Sequence, residues 1–188
     1  MSARAQSSAI LYCHPDTPCA AIEKIESSIS CERSNILTVS YILKGAVDQL
    51  RVPLDGPVRR AYDLWQHTCF EFFIGAKNDV EYYEFNFSPS GEWAAYEFRN
   101  YRDGGPIDVE GLEPKIIVQR GAGTLELSAV LRLDRLAGLQ TDVCLAFGLS
   151  AVIENLDGSL SYWALKHPPG KPDFHHSDAF ALEIAFAG

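Results

Sequence analysis

Short runs of alternating apolar and polar residues, each bounded by turn residues, recur along the whole chain and limit what it can fold into. Because successive side chains on a strand point to opposite faces, such runs predict β-strands. Helical periodicity is nearly absent, so the 188 residues are expected to form about ten strands. The predicted strands are 20–33 in one or two pieces, 35–43, 69–74, 81–87, 92–98, 115–120, 125–133, 143–154, 159–165 and 179–186.

Residues that accept left-handed or preset backbone angles separate many of these runs and predict tight connections. Residues 134–139 are expected to form one helical turn, and 167–177, which contain three prolines, an irregular loop. Hairpin turns are predicted at 77–79, 88–91, 121–123 and 157–158.

The number of strands and the length of the chain together predict an all-β fold. We expect a two-sheet antiparallel β-sandwich of immunoglobulin-like or jelly-roll type. A sandwich of this size needs one core, so a single domain is expected over residues 1–188.

The charge balance narrows the class of partner. A formal net charge of -9 argues against nucleic acid and against an anionic membrane surface, since both are bound by basic patches. A neutral or cationic small molecule fits better. The first ten residues hold no apolar stretch long enough for a signal peptide, which predicts a cytoplasmic protein.

The cysteines are odd in number, scattered, and without the paired spacing of a zinc or redox site. We expect reduced, mostly buried thiols and no metal bound by them. They are Cys13, Cys19, Cys31, Cys69 and Cys144.

The strands in the middle of the chain allow a prediction of which side chains share a face. If Glu71 lies opposite Glu84, and Asn86 opposite Trp93, one face is apolar and forms the core. That face collects Phe70, Phe72, Ile74, Tyr83, Phe85, Phe87, Ala94, Tyr96 and Phe98. The other face collects Cys69, Glu71, Phe73, Tyr82, Glu84, Asn86, Trp93 and Glu97.

The second face mixes aromatic rings with carboxylates and an amide. Such a surface suits a polar ligand with flat apolar patches, and a sugar is such a ligand. The alternative is an ordinary solvated sheet face with cross-strand pairs.

Two blocks of sequence carry a family resemblance: LWQHTCFEFF at 64–73 and YYEFNFSPSGEW at 82–93, with weaker matches at 161–163 and 179–183. They resemble DOMON-like domains related to the family 9 carbohydrate-binding modules. The resemblance implies a β-sandwich that binds sugar between tryptophan rings, with charged or amide side chains on the hydroxyls.

The positions that match that sugar-binding pattern are Trp65 and Trp163 for the rings and Glu71 for a carboxylate. Their face and proximity add Asn86, Trp93 and Arg99 as second choices. If Trp65 is a stacking platform, its ring must be partly exposed beside a pocket that contains Glu71. The expected ligand is therefore a small carbohydrate, and the resemblance suggests a cell-wall sugar enzyme as a partner.

Other functions stay open. Some DOMON domains bind haem, which would need His67 with His167 or His175 because the only methionine is Met1. A protein-interaction role and glycoside hydrolysis by Glu71 with a second glutamate, Glu84 or Glu97, are further alternatives. Motifs of nucleophilic or metal-dependent enzymes are missing, so a non-catalytic binding module is expected, without haem or another cofactor. The resemblance also allows a structural calcium ion.

The stretch from Lys166 to His176 concentrates three of the five histidines in a proline-stiffened segment. Rigid loops often carry function, whereas the simpler interpretation is a surface loop stiffened by its prolines. Adjacent histidines on extended backbone point to opposite sides, so a metal held by His175 and His176 together is not expected.

Overall fold

A computed structural model describes residues 5–33, 35–53, 55–139 and 143–185, and these residues form thirteen strands and four single-turn 3₁₀ helices. The strands are β1 (Ala5–Cys13), β2 (Ile22–Arg33), β3 (Ile36–Gly45), β4 (Arg59–Arg60), β5 (Cys69–Ala76), β6 (Tyr82–Phe87), β7 (Glu92–Asn100), β8 (Asp103–Pro106), β9 (Lys115–Gly121), β10 (Thr124–Arg132), β11 (Cys144–Glu154), β12 (Leu160–Ala164) and β13 (Leu182–Ala185). The 3₁₀ helices are η1 (Val47–Gln49), η2 (Leu64–Gln66), η3 (Leu133–Arg135) and η4 (Ser177–Ala179). None of these described helices is long enough to cross a membrane.

The strands pair into one continuous, curled sheet. Its order is β4-β7-β6-β5-β11-β12-β1-β2-β3-β10-β9, with β8 beside β7 and β13 beside β11. The short β4 runs parallel to β7, whereas the long strands pair antiparallel. The expected all-β class is confirmed in its coarse form. The expected division into two antiparallel sheets is not confirmed, because β1 pairs with both β2 and β12 and so joins the two halves.

The two halves of the sheet face each other across one large apolar core. The ring of Tyr41 on β3 lies 4.9 Å from that of Phe70 on β5, and its hydroxyl donates a 2.7 Å hydrogen bond to the carbonyl of Glu71. Phe72 and Phe147 stack in the same core at 5.9 Å. Each buried ring of this kind contributes about 1.5–3 kcal/mol by leaving water.

Strand β1 was not expected from the sequence. Its inward side carries Ser7, Ala9 and Leu11, of which only Leu11 is fully buried, while the bulky Ile10 and Tyr12 are exposed. Because the small residues face inward and the large apolar ones outward, β1 lacks the alternation of buried apolar and exposed polar residues that predicts a strand.

The end of the chain also differs from expectation. Residues 177–179 form η4 and not the start of a strand, and the last strand begins at Leu182. Phe186, the predicted end of that strand, lies outside the described residues. The helical turn expected at 134–139 is a 3₁₀ helix at Leu133–Arg135.

The pairing of β5 with β6 keeps the predicted faces although its register differs. Glu71 lies opposite Asn86, and Phe73 opposite Glu84, a shift of two residues from the prediction. Because side chains alternate with a period of two, a shift of two leaves each residue on its expected face.

The pairing of β6 with β7 is shifted by one residue, which turns β7 over. Asn86 lies opposite Ala94, and Phe87 opposite Trp93. The connection is a three-residue loop closed by Ser88 N–H donating to the Glu92 carbonyl at 2.8 Å, with Gly91 at φ 93°. A left-handed glycine that lengthens a hairpin loop by one residue is a common arrangement.

That one-residue shift corrects the predicted faces of β7. Trp93 lies in the core, where Arg60 covers its ring at 4.4 Å, and the Tyr83 hydroxyl donates to Glu97 on the same side. The opposite, outer face of β7 carries Ala94, Tyr96 and Phe98, which were expected in the core.

Candidate functional site

The proline-rich segment, residues 167–177, crosses the outer face of β5, β6 and β7, where the ring of His175 packs against those of Phe73, Tyr82 and Phe98. A second, smaller apolar cluster forms beneath it from Phe73, Tyr82, Phe98, Val152, Ala164 and Phe174. Strands β5 and β6 below it are consequently buried on both faces. Between this segment, η2 and the sheet lies a pocket of about 590 Å³, within the range of small-molecule sites.

Trp65 borders this pocket and is 49% exposed. It stands in the single turn η2, whose first residue, Leu64, packs into a small buried cluster with Cys69 and Ala94. Because Leu64 anchors the turn, the next side chain is turned outward. The ring has the exposure that a stacking platform requires.

Two carboxyl groups lie in the floor of the same pocket. Glu71 on β5 is 4% exposed and Glu84 on β6 is 5% exposed. Asn86, beside Glu84 on β6, donates from Nδ2 to Glu84 Oε1 at 2.9 Å and is itself fully buried. Asn86 therefore holds Glu84 and does not line the pocket.

Burial sets the ionisation of this pair. It raises the pKa of Glu71 well above its ordinary value, and the nearby Glu84 raises it further. Burial also raises the pKa of Glu84 to about 7, partly offset by the hydrogen bond from Asn86 and by Arg102. Burial disfavours a charged carboxylate because the protein interior solvates it less well than water.

A hydrogen-bonded cluster fastens the proline-rich segment to the sheet. Arg102 Nη2 donates to Asp173 Oδ1 at 2.9 Å, and the Tyr101 hydroxyl donates to Asp173 Oδ2 at 2.8 Å. His175 Nδ1 lies 2.8 Å from the Tyr82 hydroxyl, and His175 Nε2 lies 3.6 Å from Glu84 Oε2. Burial lowers the pKa of His175 to about 4, so its ring is neutral at neutral pH.

Histidines also tie down the other end of this segment. His14 Nε2 lies 3.0 Å from the carbonyl of Gly170, and His167 Nε2 lies 2.8 Å from that of Tyr12. The two imidazoles meet edge to face at 4.9 Å. The His- and Pro-rich stretch, whose role the sequence left open, forms one wall of the pocket with Lys171, Pro172, Phe174 and His175.

Two residues at the pocket have backbone angles that non-glycine residues rarely adopt. Asp63, just before η2, has φ 58°, and Arg102, between β7 and β8, has φ 55°. Both line the pocket. Left-handed non-glycine residues concentrate at functional sites, where surrounding contacts hold them in place.

Three of the predicted ligand-binding residues lie elsewhere. Trp163 on β12 is 6% exposed and packs in the main core, with its Nε1 donating to Ser161 Oγ at 3.0 Å. Trp93 is 3% exposed in the same core. Arg99 is exposed outside the pocket, on the face of β7 that the one-residue shift turned away. Of the six predicted residues, Trp65 and Glu71 line the pocket.

Several pocket residues were missed as site residues in the sequence. Tyr96 was assigned to the core through the wrong β7 register, and Arg102 and Asp63 carry no motif. His175 lay in the unusual histidine-rich stretch, which was the one signal that pointed to it.

The histidines considered as haem ligands lie apart. His67 is exposed, and its Nδ1 lies 2.8 Å from Glu154 Oε2, while His167 contacts the Tyr12 carbonyl. Neither lines the pocket, whereas His175 does. Among the described residues, no group of three or more His, Cys, Asp or Glu side chains is arranged to hold a metal ion.

Replacement of Glu84 by Gln should change how the free energy of unfolding depends on pH, because it removes a buried carboxyl. Its pKa is near 4.5 in an unfolded chain and about 7 when folded, so its stabilising contribution is complete below about pH 4.5 and is lost as the pH rises through 7. Relative to Glu84→Gln, the wild type should lose on the order of 2–3 kcal/mol of unfolding free energy between pH 4.5 and 8.

Urea titrations of both proteins across this range measure the difference. His175 acts in the opposite sense, since its lowered pKa gives a contribution that is lost as the pH falls from 6.5 through 4. It is present in both proteins, so the comparison reports Glu84 together with its effect on the pKa of Glu71. A difference that does not change with pH would contradict a buried carboxyl of raised pKa.

The fold of this chain is shared with solved carbohydrate-binding proteins. A proposed carbohydrate-binding protein from Bacteroides uniformis superposes with a TM-score of 0.66 at 17% identity, over 92% of this chain and 83% of its own.

A family 9 carbohydrate-binding module from Caldicellulosiruptor kristjanssonii, solved with cellotriose, gives a TM-score of 0.52 at 10% identity, over 87% of this chain and 74% of its own. Its complex with glucose gives 0.51 at 11% identity, over 88% and 77%. At these identities the likeness establishes the fold alone. No family model and no curated protein matches the sequence.

Proposed function

We propose that this protein is a binding module for a small carbohydrate or sugar derivative, held in the pocket that Trp65 borders. The observation that carries the proposal is the half-exposed indole of Trp65 beside the buried carboxyls of Glu71 and Glu84 in one pocket. The fold shared with carbohydrate-binding proteins supports it.

The chemistry of a pyranose matches this arrangement. Its axial and equatorial C–H groups give an apolar face that packs on an aromatic ring, and its hydroxyls donate and accept hydrogen bonds. Trp65 offers the ring and Glu71 offers oxygens in the floor. Phe174 and Tyr162 also line the pocket and add apolar surface to it.

The same carboxyls favour binding over hydrolysis. A glycosidase needs one carboxyl that stays ionised beside one that carries a proton. Burial raises the pKa of Glu71 well above its ordinary value and that of Glu84 to about 7, so neither carboxyl has the ordinary or lowered pKa expected of a fully ionised nucleophile. We therefore include in the proposal that bound sugar is not cleaved.

The finer parts of the hypothesis come from the resemblance. These are membership among DOMON-like domains and a partner enzyme of cell-wall sugar metabolism; the cytoplasmic setting was expected from the sequence and stays a proposal. They motivate the inclusion of cell-wall fragments among the sugars to be tested.

Titration calorimetry of the wild type tests the proposal. The sugars are glucose, cellotriose, glucosamine, N-acetylglucosamine and soluble cell-wall fragments, at up to millimolar concentration. We expect saturable binding of at least one sugar and no release of shorter sugars on prolonged incubation. Failure of the whole panel to bind would overturn the proposal in favour of a protein-interaction role, and cleavage of a bound sugar would overturn its non-catalytic part.

A further inference from the structure

The floor of the pocket contains carboxyl oxygens that accept hydrogen bonds but lack protein donors within the described part of the chain. The Glu71 carboxyl, 4% exposed and lining the pocket, has no hydrogen-bond donor among the described residues. Glu84 Oε1 accepts from Asn86, while Glu84 Oε2 lies 3.6 Å from Nε2 of His175, beyond hydrogen-bond distance. These carboxyl oxygens line the pocket, so a ligand that brings hydrogen-bond donors would satisfy them.

The strand register leaves space between the two carboxyls. Glu71 lies opposite Asn86, two residues along β6 from Glu84, so the two glutamates are diagonal neighbours on one face. Diagonal positions on adjacent strands are about 7–8 Å apart, against about 5 Å for directly opposed ones. One small group with several donors can therefore lie between the carboxyls and contact both.

The charged groups around the pair do not fill that place. Arg102 is bound to Asp173 and Tyr101, and the neutral ring of His175 is held by Tyr82. The remaining charged side chains that line the pocket are those of Asp63 and Lys171, and both are exposed. Tyr96 stays neutral, since burial raises its pKa to about 12.

From this geometry we infer that the pocket selects a sugar with a free amino group, and that its ammonium lies between Glu71 and Glu84. This inference rests on the proposed sugar-binding function and narrows its ligand class. An ammonium has three donors and no acceptor, which suits a floor of unmet acceptors. Its positive charge also strengthens each hydrogen bond to a carboxylate.

Binding of such a ligand should release a proton. In the free protein the pKa of Glu84 is about 7 and that of Glu71 is well above its ordinary value, so the pair still holds carboxyl protons near pH 6.5, where an ordinary amine is charged. The ammonium favours the ionised carboxylate, so the carboxyl proton passes to the buffer. A neutral sugar has no charge to drive this release.

Calorimetry with glucosamine, glucose and N-acetylglucosamine at pH 6.5, repeated in buffers of different ionisation enthalpy, tests the inference. Glucosamine should bind at least about tenfold more tightly than the two neutral sugars and should alone release protons. In Glu71→Gln the affinity ratio of glucosamine to glucose should fall to about 1. The exposed Glu23→Gln is the matched control and should keep the wild-type ratio.

The results separate this inference from the proposed function. Equal binding of glucosamine and glucose without proton release would overturn the inference and leave sugar binding intact. Absence of binding by all three sugars and by the rest of the panel would overturn both. An unchanged ratio in Glu71→Gln would remove Glu71 as the group that recognises the amine.

Discussion

Trp163→Ala is expected to lower the free energy of unfolding by about 3–5 kcal/mol, because it removes a large ring from the middle of the core. Trp163 lies on β12, opposite Ala151 on β11 and Cys13 on β1, at the junction of the two halves of the sheet. It is 6% exposed. The change also removes the donor to Ser161 Oγ.

Urea denaturation measures this effect, and Trp65→Ala provides the matched comparison. The same atoms are removed from a half-exposed position, so the expected loss is under about 1 kcal/mol. If Trp163→Ala does not fold, Trp163→Phe keeps a buried ring and should show a smaller loss. Equal losses for the two alanine variants would contradict the assignment of Trp163 to the core and Trp65 to the surface.

Trp65→Ala is expected to weaken sugar binding at least about 30-fold, the scale of a central aromatic anchor. The ring is the most exposed of the aromatic side chains that line the pocket, so its loss removes the stacking contact and leaves the carboxyls in place. Calorimetry with the tightest-binding sugar of the panel measures the change.

Tyr62→Ala is the control for this variant. Tyr62 is 57% exposed, lies three residues before Trp65, and is absent from the pocket lining. Its truncation should leave sugar affinity within about twofold of wild type and stability within about 0.5 kcal/mol. Weakening of binding by both variants alike would show that the effect comes from the segment and not from the indole.

Most of the strands could be predicted because their inner faces are strictly apolar. In β3, each buried residue alternates with a partly exposed one, and the prediction differed from the structure by a residue or two at the ends. The exceptions were β1, whose large residues face outward, and the short β4 and β8. Their few residues carry too little pattern to mark a strand.

The predicted faces of β6 followed from its own residues, whereas those of β7 depended on the length of one turn. In β6 the alternation of Phe85 and Phe87 with Glu84 and Asn86 was sufficient to assign each side chain to its face. For β7 the outcome depended on whether the hairpin loop held two or three residues, and the left-handed Gly91 makes it three. A one-residue error there moved Trp93 from the core to the supposed binding face.

The site could be predicted only where local sequence determines it. Trp65 and Glu71 come from one short block, so their order along the chain places them together. Arg102 is brought to the pocket by the turn between β7 and β8, and His175 by the segment that follows β12. Such long-range neighbours leave no spacing signal in a single sequence.

The three indole N–H resonances offer the most direct measurement of the central claim, that sugar stacks on Trp65. The chain has three tryptophans, of which Trp93 and Trp163 are buried. A ¹H–¹⁵N spectrum recorded during titration with a panel sugar, with Trp65→Phe to assign its resonance, follows each ring separately. We expect the Trp65 indole signal to move saturably with sugar while those of Trp93 and Trp163 stay in place; a Trp65 signal unaffected by a sugar that calorimetry shows to bind would contradict the claim.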